Sequence, residues 1–438
     1  MRISRLLFAF LAALLLLSAC APSKNNTGAT PAHSPTVIAP QTPTSTAIAA
    51  CPIIIASSTC RTPYDFRVAY GVQSLIERGF TGKGQTIVDI VSYGSPTLQR
   101  DMDTFDKQFG LPPITIKVIA PLGVARPDPT NQDMAGWAGE TELDVQIIHA
   151  VAPGANIVVL TSPVDETEGT IGLPQFLQLE QYALTHHLGN IISQSWGASE
   201  VTLKDAAGQQ EIHQWDAFLK QATTQQGITF FASSGDNGAT DYVDLKATKL
   251  SPKPTTSFPA DDPWVTSVGG TSLERNGTAF QEIAWDRSGG GFSSFFATPA
   301  YQQALPASVQ NQLKQGRGVP DVAGDADPRT GLAIYTSGWE LGGGTSASAP
   351  LWAAFMAIAD QMAGHPLGFI NPALYKLATS SSYAQDFHDI TIGDNTVDVN
   401  DTTRVQGYPA VQGWDPITGL GTPDAEKLLP GLVAAING

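Results

Sequence analysis

Hydrophobic residues along this chain fall into two alternating rhythms. Short runs rich in β-branched and aromatic residues (Thr86 to Val91, Ile157 to Thr161, Asn190 to Ser195, Gly227 to Ser233 and Trp264 to Val268) predict strands buried on both faces. Between them lie stretches with helical spacing: Leu98 to Phe109, Glu140 to Val151, Pro174 to Thr185, Gln209 to Gln225 and Ala347 to Met362. Gly110 and Pro153-Gly154 serve as stop signals. Strand and helix in alternation predict an α/β fold, a mostly parallel sheet with helices on both faces. In such sheets active sites gather at the carboxyl ends of the strands. No internal repeat is evident, and residues 51–438 read as one domain.

The first residues follow another pattern. Arg2 and Arg5 precede an apolar run from Leu6 to Leu17 and then small residues, so residues 1–20 read as an export signal whose run is too short to span a bilayer comfortably. Its end, Leu17-Ser18-Ala19-Cys20, resembles the lipobox of bacterial lipoproteins, which implies a lipid on Cys20. Residues 21–50 are mostly Ser, Thr, Pro, Ala and Asn and are expected to form a flexible tether. Cys51 and Cys60 remain as an even pair in an oxidising compartment, and a small disulfide loop is expected. With 24 Lys and Arg against 40 Asp and Glu, the formal charge of −16 argues against nucleic acid or anionic lipid as a partner.

Candidate chemistry begins with GGGTSASAP, residues 342–350, at the start of an apolar helical stretch. The glycines permit close backbone approach, and the helix start favours negative charge developing at Ser346. Pro350 is expected in the first turn and Ser348 past the exposed edge. Alone, such a serine is more often a cap than a nucleophile. The usual base is histidine, yet none of the 7 histidines has the His-Gly-Thr context of a subtilisin base. Carboxylates are the alternative. In GETELDVQIIHA, residues 139–150, Glu140 and Asp144 stand one helical turn apart on one face, while Glu142 points elsewhere. Like charges so close resist simultaneous ionisation and can share a proton. Glu140 is then a base for Ser346 at acidic pH, with Asp144 orienting it. A third acid, Asp236, ends the strand-like run Phe230-Phe231-Ala232-Ser233-Ser234-Gly235. It reads either as a turn residue or, kept protonated, as a hydrogen-bond donor to an oxyanion.

These residues resemble the sedolisin family of serine-carboxyl peptidases. The matching stretches are GQTIVDIVSYGSPTLQRDM, GETELDVQIIHAVAPGANI, ASSGDNG, FPADDPWVTSVGGTSL, GGGFSSFF, GRGVPDVAGDADPRTG, GGGTSASAPLW and GWDPITGLGTP, in the family's order from about Tyr64 onward. The resemblance implies a subtilisin-like fold with Ser346 as nucleophile, Glu140 as base and later acid, Asp144 as second carboxylate and Asp236 as oxyanion donor. It implies that Ser195-Trp196-Gly197 binds an extended peptide through its backbone. It also implies one Ca2+ ion, held by the carboxylates of Asp389 and Asp415 and the carbonyls of Ile390, Val411 and Gly413.

Two departures stand out. Family precursors carry a large N-terminal prodomain, whereas a signal, a tether and a few residues precede the body here. Val91 falls where many members place a supporting acid, and Asp89 shares its face at a spacing of two. The expectation is an acid-acting, monomeric peptidase that takes peptides or unfolded proteins. Internal cleavage is favoured over tripeptide removal, and the protein is lipid-anchored outside the bacterial cell membrane or secreted. The alternative is a non-catalytic peptide-binding lipoprotein on the same scaffold. A glycosidase using Glu140 and Asp144 fits poorly, because such acid pairs usually come from different elements and Ser346 would go unused.

Overall fold

The computed structural model describes residues 50–53, 60–277 and 279–438; the export signal, Cys20 and the tether up to residue 49 lie outside the described residues. Cys51 and Cys60 are joined by a disulfide. The core is a sheet of eight strands: β1 (Thr86–Ser92), β2 (Lys117–Ile119), β3 (Asn156–Ser162), β4 (Ile191–Gln194), β5 (Thr229–Ser233), β6 (Thr266–Asn276), β7 (Ala279–Ala284) and β8 (Val322–Asp325). Their order is β8-β6-β5-β4-β1-β3-β2, with every neighbour along that path parallel. β7 turns back antiparallel on the second half of β6. This is the subtilisin-like architecture of a single α/β domain.

Period-two alternation sends β1 side chains into two cores. Ile87 and Val91 pack with helices α2 (Gln132–Val151) and α5 (Thr345–Ala363), while Val88 and Ile90 pack with α3 (Leu173–Thr185) and α4 (Ala206–Gln226). Asp89 lies between Ile87 and Val91 on the first face. A carboxyl group therefore enters the layer under α2 and α5, fully buried.

Most boundaries follow the local signals. Helix α1 (Leu98–Phe109) ends at Gly110 in the left-handed conformation. Gly227, expected at the start of a strand, instead caps α4 at φ +68°, and β5 begins only at Thr229. Helix α2 starts well before Glu140, because Asn131 Oδ1 accepts from the amides of Asp133 and Met134 and caps a largely exposed first stretch. Helix α5 starts at Thr345, so Pro350 lies beyond its first turn. Strands β2 and β8, three and four residues long, are too short to show a period. A final helix, α6 (Ala425–Asn437), packs on α5 through Leu428, Leu429 and Leu432. No described helix is long and apolar enough to cross a membrane.

Candidate active site

The face of the sheet that carries α2 and α5 brings five side chains together: Glu140 and Asp144 from α2, Asp89 from β1, Ser195 just past β4 and Ser346 from the first turn of α5. Ser195 Oγ lies 3.0 Å from Asp144 Oδ1 and 3.1 Å from the main-chain oxygen of Ser346. That oxygen is free for a specific reason. In an α-helix it would accept from the amide four residues on, but that residue is Pro350, which has no N–H. The proline thus opens a carbonyl in the nucleophile's own residue, and the Ser195 hydroxyl fills it. Ser348, expected past the exposed edge, is buried and donates to the Gly324 carbonyl at 3.0 Å.

Asp89 and Asp144 meet carboxyl to carboxyl, both fully buried. Among the described residues neither Asp89 oxygen has a hydrogen-bond donor, nor does Asp144 Oδ2. Two ionised carboxylates only accept, so one shared proton is the arrangement that satisfies both. Burial pushes Asp89 up to about 7, its bond to Asp144 opposing. Asp144 is raised well above the ordinary range, first by burial and then by the charges of Asp89 and Glu140. Burial lifts Glu140 to about 8, against which the Ser346 hydroxyl works by favouring its ionised form. Glu140 Oε1 has no donor in place.

Asp236 follows β5 and is pinned to the start of α5. Its Oδ1 accepts from the Thr345 amide at 2.7 Å and the Thr345 hydroxyl at 2.8 Å, and the Gly235 amide donates to that hydroxyl at 3.0 Å. Gly344 makes this approach possible. It sits at φ +86°, and a Cβ there would stand 2.6 Å from Asp236 Oδ2. Burial raises Asp236 above the usual carboxylate range, the Thr345 bonds opposing.

Of the expected peptide-binding strand, only the backbone is left for a peptide. The Ser195 side chain joins the acids, and Trp196 is buried with its ring edge-on to Phe176 at 4.7 Å. At Gly197 a Cβ would come 3.0 Å from the Phe258 carbonyl. Among the described residues no histidine takes part: His149, on α2 itself, has Nε2 2.8 Å from the Pro112 carbonyl and 3.3 Å from Asp106 Oδ1. The role of the Ser195 side chain escaped sequence reasoning, since its partners come from α2 and α5. Asp89 carried the signal of period two.

The five expected calcium positions lie on two neighbouring loops. The Gly413 amide donates to Asp389 Oδ1 at 3.0 Å, and the Val411 amide donates to Asp415 Oδ2 at 3.0 Å. Tyr383 is close enough to feel both carboxylates and donates to Asp389 Oδ1 at 3.1 Å. Among the described residues no group of three or more His, Cys, Asp or Glu side chains is placed to hold a metal ion, so a cation would rely on main-chain carbonyls.

The chain belongs to the subtilase family, whose pattern matches residues 132–386. Kumamolisin of Bacillus sp. (strain MN-32) is 35% identical over 400 residues, covering 87% of this chain and 65% of its own length. Tripeptidyl-peptidase sed4 of Aspergillus fumigatus is 30% identical over 373 residues, covering 75% and 59%; human tripeptidyl-peptidase 1 is 32% identical over 324 residues, covering 69% and 53%. This chain therefore spans between about half and two thirds of these relatives. Among solved structures, Pseudomonas sedolisin, a serine-carboxyl proteinase complexed with two molecules of pseudo-iodotyrostatin, superposes with a TM-score of 0.72 at 26% identity, covering 86% of this chain and 99% of that one.

Proposed function

We propose that this protein is a serine-carboxyl peptidase of the sedolisin type, hydrolysing peptide bonds at acidic pH. The observation that carries the reading is the line of side chains Ser346, Glu140, Asp144 and Asp89, in which acids occupy the place of a histidine base. Carboxylates this close resist ionising together, so they titrate as a coupled line rather than as separate groups. For Glu140 to act as the base, the negative charge must fall on it while Asp89 and Asp144 keep a proton between them; burial opposes that charge, and the Ser346 hydroxyl favours it.

In the first step Ser346 Oγ attacks the peptide carbonyl carbon and its proton passes to Glu140. Neutral Asp236 donates a hydrogen bond to the oxyanion of the tetrahedral intermediate; ionised, it would repel that charge. The C–N bond then breaks, Glu140 returns the proton to the leaving amine, and an acyl ester remains on Ser346. Water repeats the sequence: it loses a proton to Glu140 as it adds to the ester, and Ser346 Oγ regains one as it leaves. Acidic pH keeps Asp236 and the Asp89–Asp144 pair protonated throughout.

Ser346→Ala and, separately, Glu140→Ala should each abolish hydrolysis of a denatured protein at about pH 4. Activity retained in either rules the mechanism out. Cut sites mapped by mass separate internal cleavage, which we propose, from removal of tripeptides, the activity named in two of the relatives.

A calcium ion fits the paired loops as a structural cross-link. Asp389 and Asp415 would supply charge, and the carbonyls of Ile390, Val411 and Gly413 accept no hydrogen bond among the described residues, leaving them open for a hard cation. Chelation should then lower the unfolding temperature of the native chain and leave that of Asp415→Asn unmoved. From the sequence alone we propose a monomer, anchored by lipid on Cys20 at the outer side of the bacterial membrane. Loss of lipid labelling in Cys20→Ala tests the anchor.

A further inference from the structure

We infer that the substrate cleft carries a subsite for a basic side chain of the peptide, arginine or lysine, with the Glu166 carboxyl as its floor; the inference rests on the peptidase reading. Glu166 lines the same cleft as Glu140, Ser195, Trp196 and Gly197. It is 8% exposed, and its Oε1 has no hydrogen-bond partner among the described residues. Its neighbours are differently placed. Glu168 Oε2 accepts from the Ser199 amide and the Thr202 hydroxyl, both at 2.9 Å. Asp241 accepts from the Tyr242 amide at 2.8 Å, from Asn237 Nδ2 at 3.0 Å and from the Ser257 hydroxyl. The acids around Glu166 are thus committed to local donors, while the Glu166 carboxyl lines the cleft with one oxygen left without a donor among the described residues.

The loop that carries it is fixed: the Glu166 amide donates to Ser92 Oγ at 3.1 Å, at the end of β1. Among the described residues no lysine, arginine or histidine lines the cleft to neutralise the group. Burial, and then the charges of Glu168, Asp165 and Asp241, hold the Glu166 carboxyl well above its ordinary range. An ammonium or guanidinium entering the cleft relieves both causes, pairing the oxygen and offsetting the surrounding charge. An apolar side chain would leave the orphan as it is, and an acidic one would add to the repulsion. Trp137 completes the site. Its indole N–H donates to Asp165 Oδ1 at 2.5 Å, which fixes the ring as an apolar wall for the methylenes of a long basic side chain.

The test uses the whole chain carrying Ser346→Ala, so that peptides bind without turnover. Fluorescently labelled peptides, identical except that Arg, Lys, Leu or Glu is moved through each position in turn, are titrated by anisotropy at about pH 5. At one position Arg and Lys should bind about tenfold or more tighter than Leu, with Glu weakest. Adding Glu166→Gln should bring Arg to within about threefold of Leu at that position. The inference is overturned if no position favours the basic residues, or if Glu166→Gln keeps the preference. The peptide comparison alone decides if that variant does not fold. Cleavage of the same peptides by the native chain is followed in parallel: no turnover there would remove the peptidase reading without altering what the binding series says about Glu166.

Discussion

Replacing Asp89 by asparagine should leave the protein about as stable as the native chain at low pH and make it more stable at neutral pH. Burial raises the Asp89 carboxyl from 3.8 to about 7, so folding favours its protonated form. The sign follows from linkage. A carboxyl raised in the folded state contributes its full stability below the unfolded value of 3.8 and loses it as pH climbs to about 7. Roughly three pH units at 1.36 kcal/mol each amount to about 4 kcal/mol, a ceiling because Asp144 shares the proton. Asparagine keeps a donor facing Asp144 but has no proton to lose. Urea unfolding of both proteins, followed by tryptophan fluorescence in steps between about pH 4 and pH 7, measures the difference directly. The curves should meet within about 1 kcal/mol at the acidic end and diverge by up to about 4 kcal/mol at the neutral end. Parallel curves would mean that Asp89 titrates in the fold as it does in the unfolded chain, and the shared-proton account would fail.

Three further outcomes follow from the same geometry. Gly344→Ala should lose about 1–3 kcal/mol of stability and more than about tenfold in kcat/KM, because the new methyl meets both a left-handed backbone and Asp236 Oδ2; unchanged thermal unfolding would refute the clash. Asp236→Asn donates at every pH, so the alkaline limb of its kcat/KM profile should move to higher pH; a limb that stays in place removes Asp236 from the oxyanion role. Pro350→Ala gives the Ser346 carbonyl a helical partner in competition with Ser195, and should lower kcat with little change in KM; a kcat equal to native would show that the Ser195 bond does not position the nucleophile.

Much of this molecule could be read before any coordinates, and the parts that could not share a cause. Leu98–Phe109 was legible to the residue because an apolar stripe and a glycine stop agree there. Glu140 and Asp144 were legible as a pair because helical spacing alone puts them on one face. The start of α2 was not, since residues 132–139 bury little and only the Asn131 cap announces them. Pro350 was misjudged because the helix starts at Thr345 rather than Ala347, and with that shift went its effect on Ser346. Ser195 and Glu166 carry no local pattern at all. Their meaning comes from partners that the fold brings from other elements, and no period or cap encodes such contacts.

The central claim is that the acyl group rests on a serine whose proton an acid holds. Quenching a reaction of the native chain with a slowly hydrolysed peptide ester in acid, and locating the added mass by sequencing digested fragments, tests it directly. The account predicts an ester on Ser346 that fails to form in Glu140→Ala. Turnover with no acyl group on Ser346, or with one carried by another residue, would contradict it.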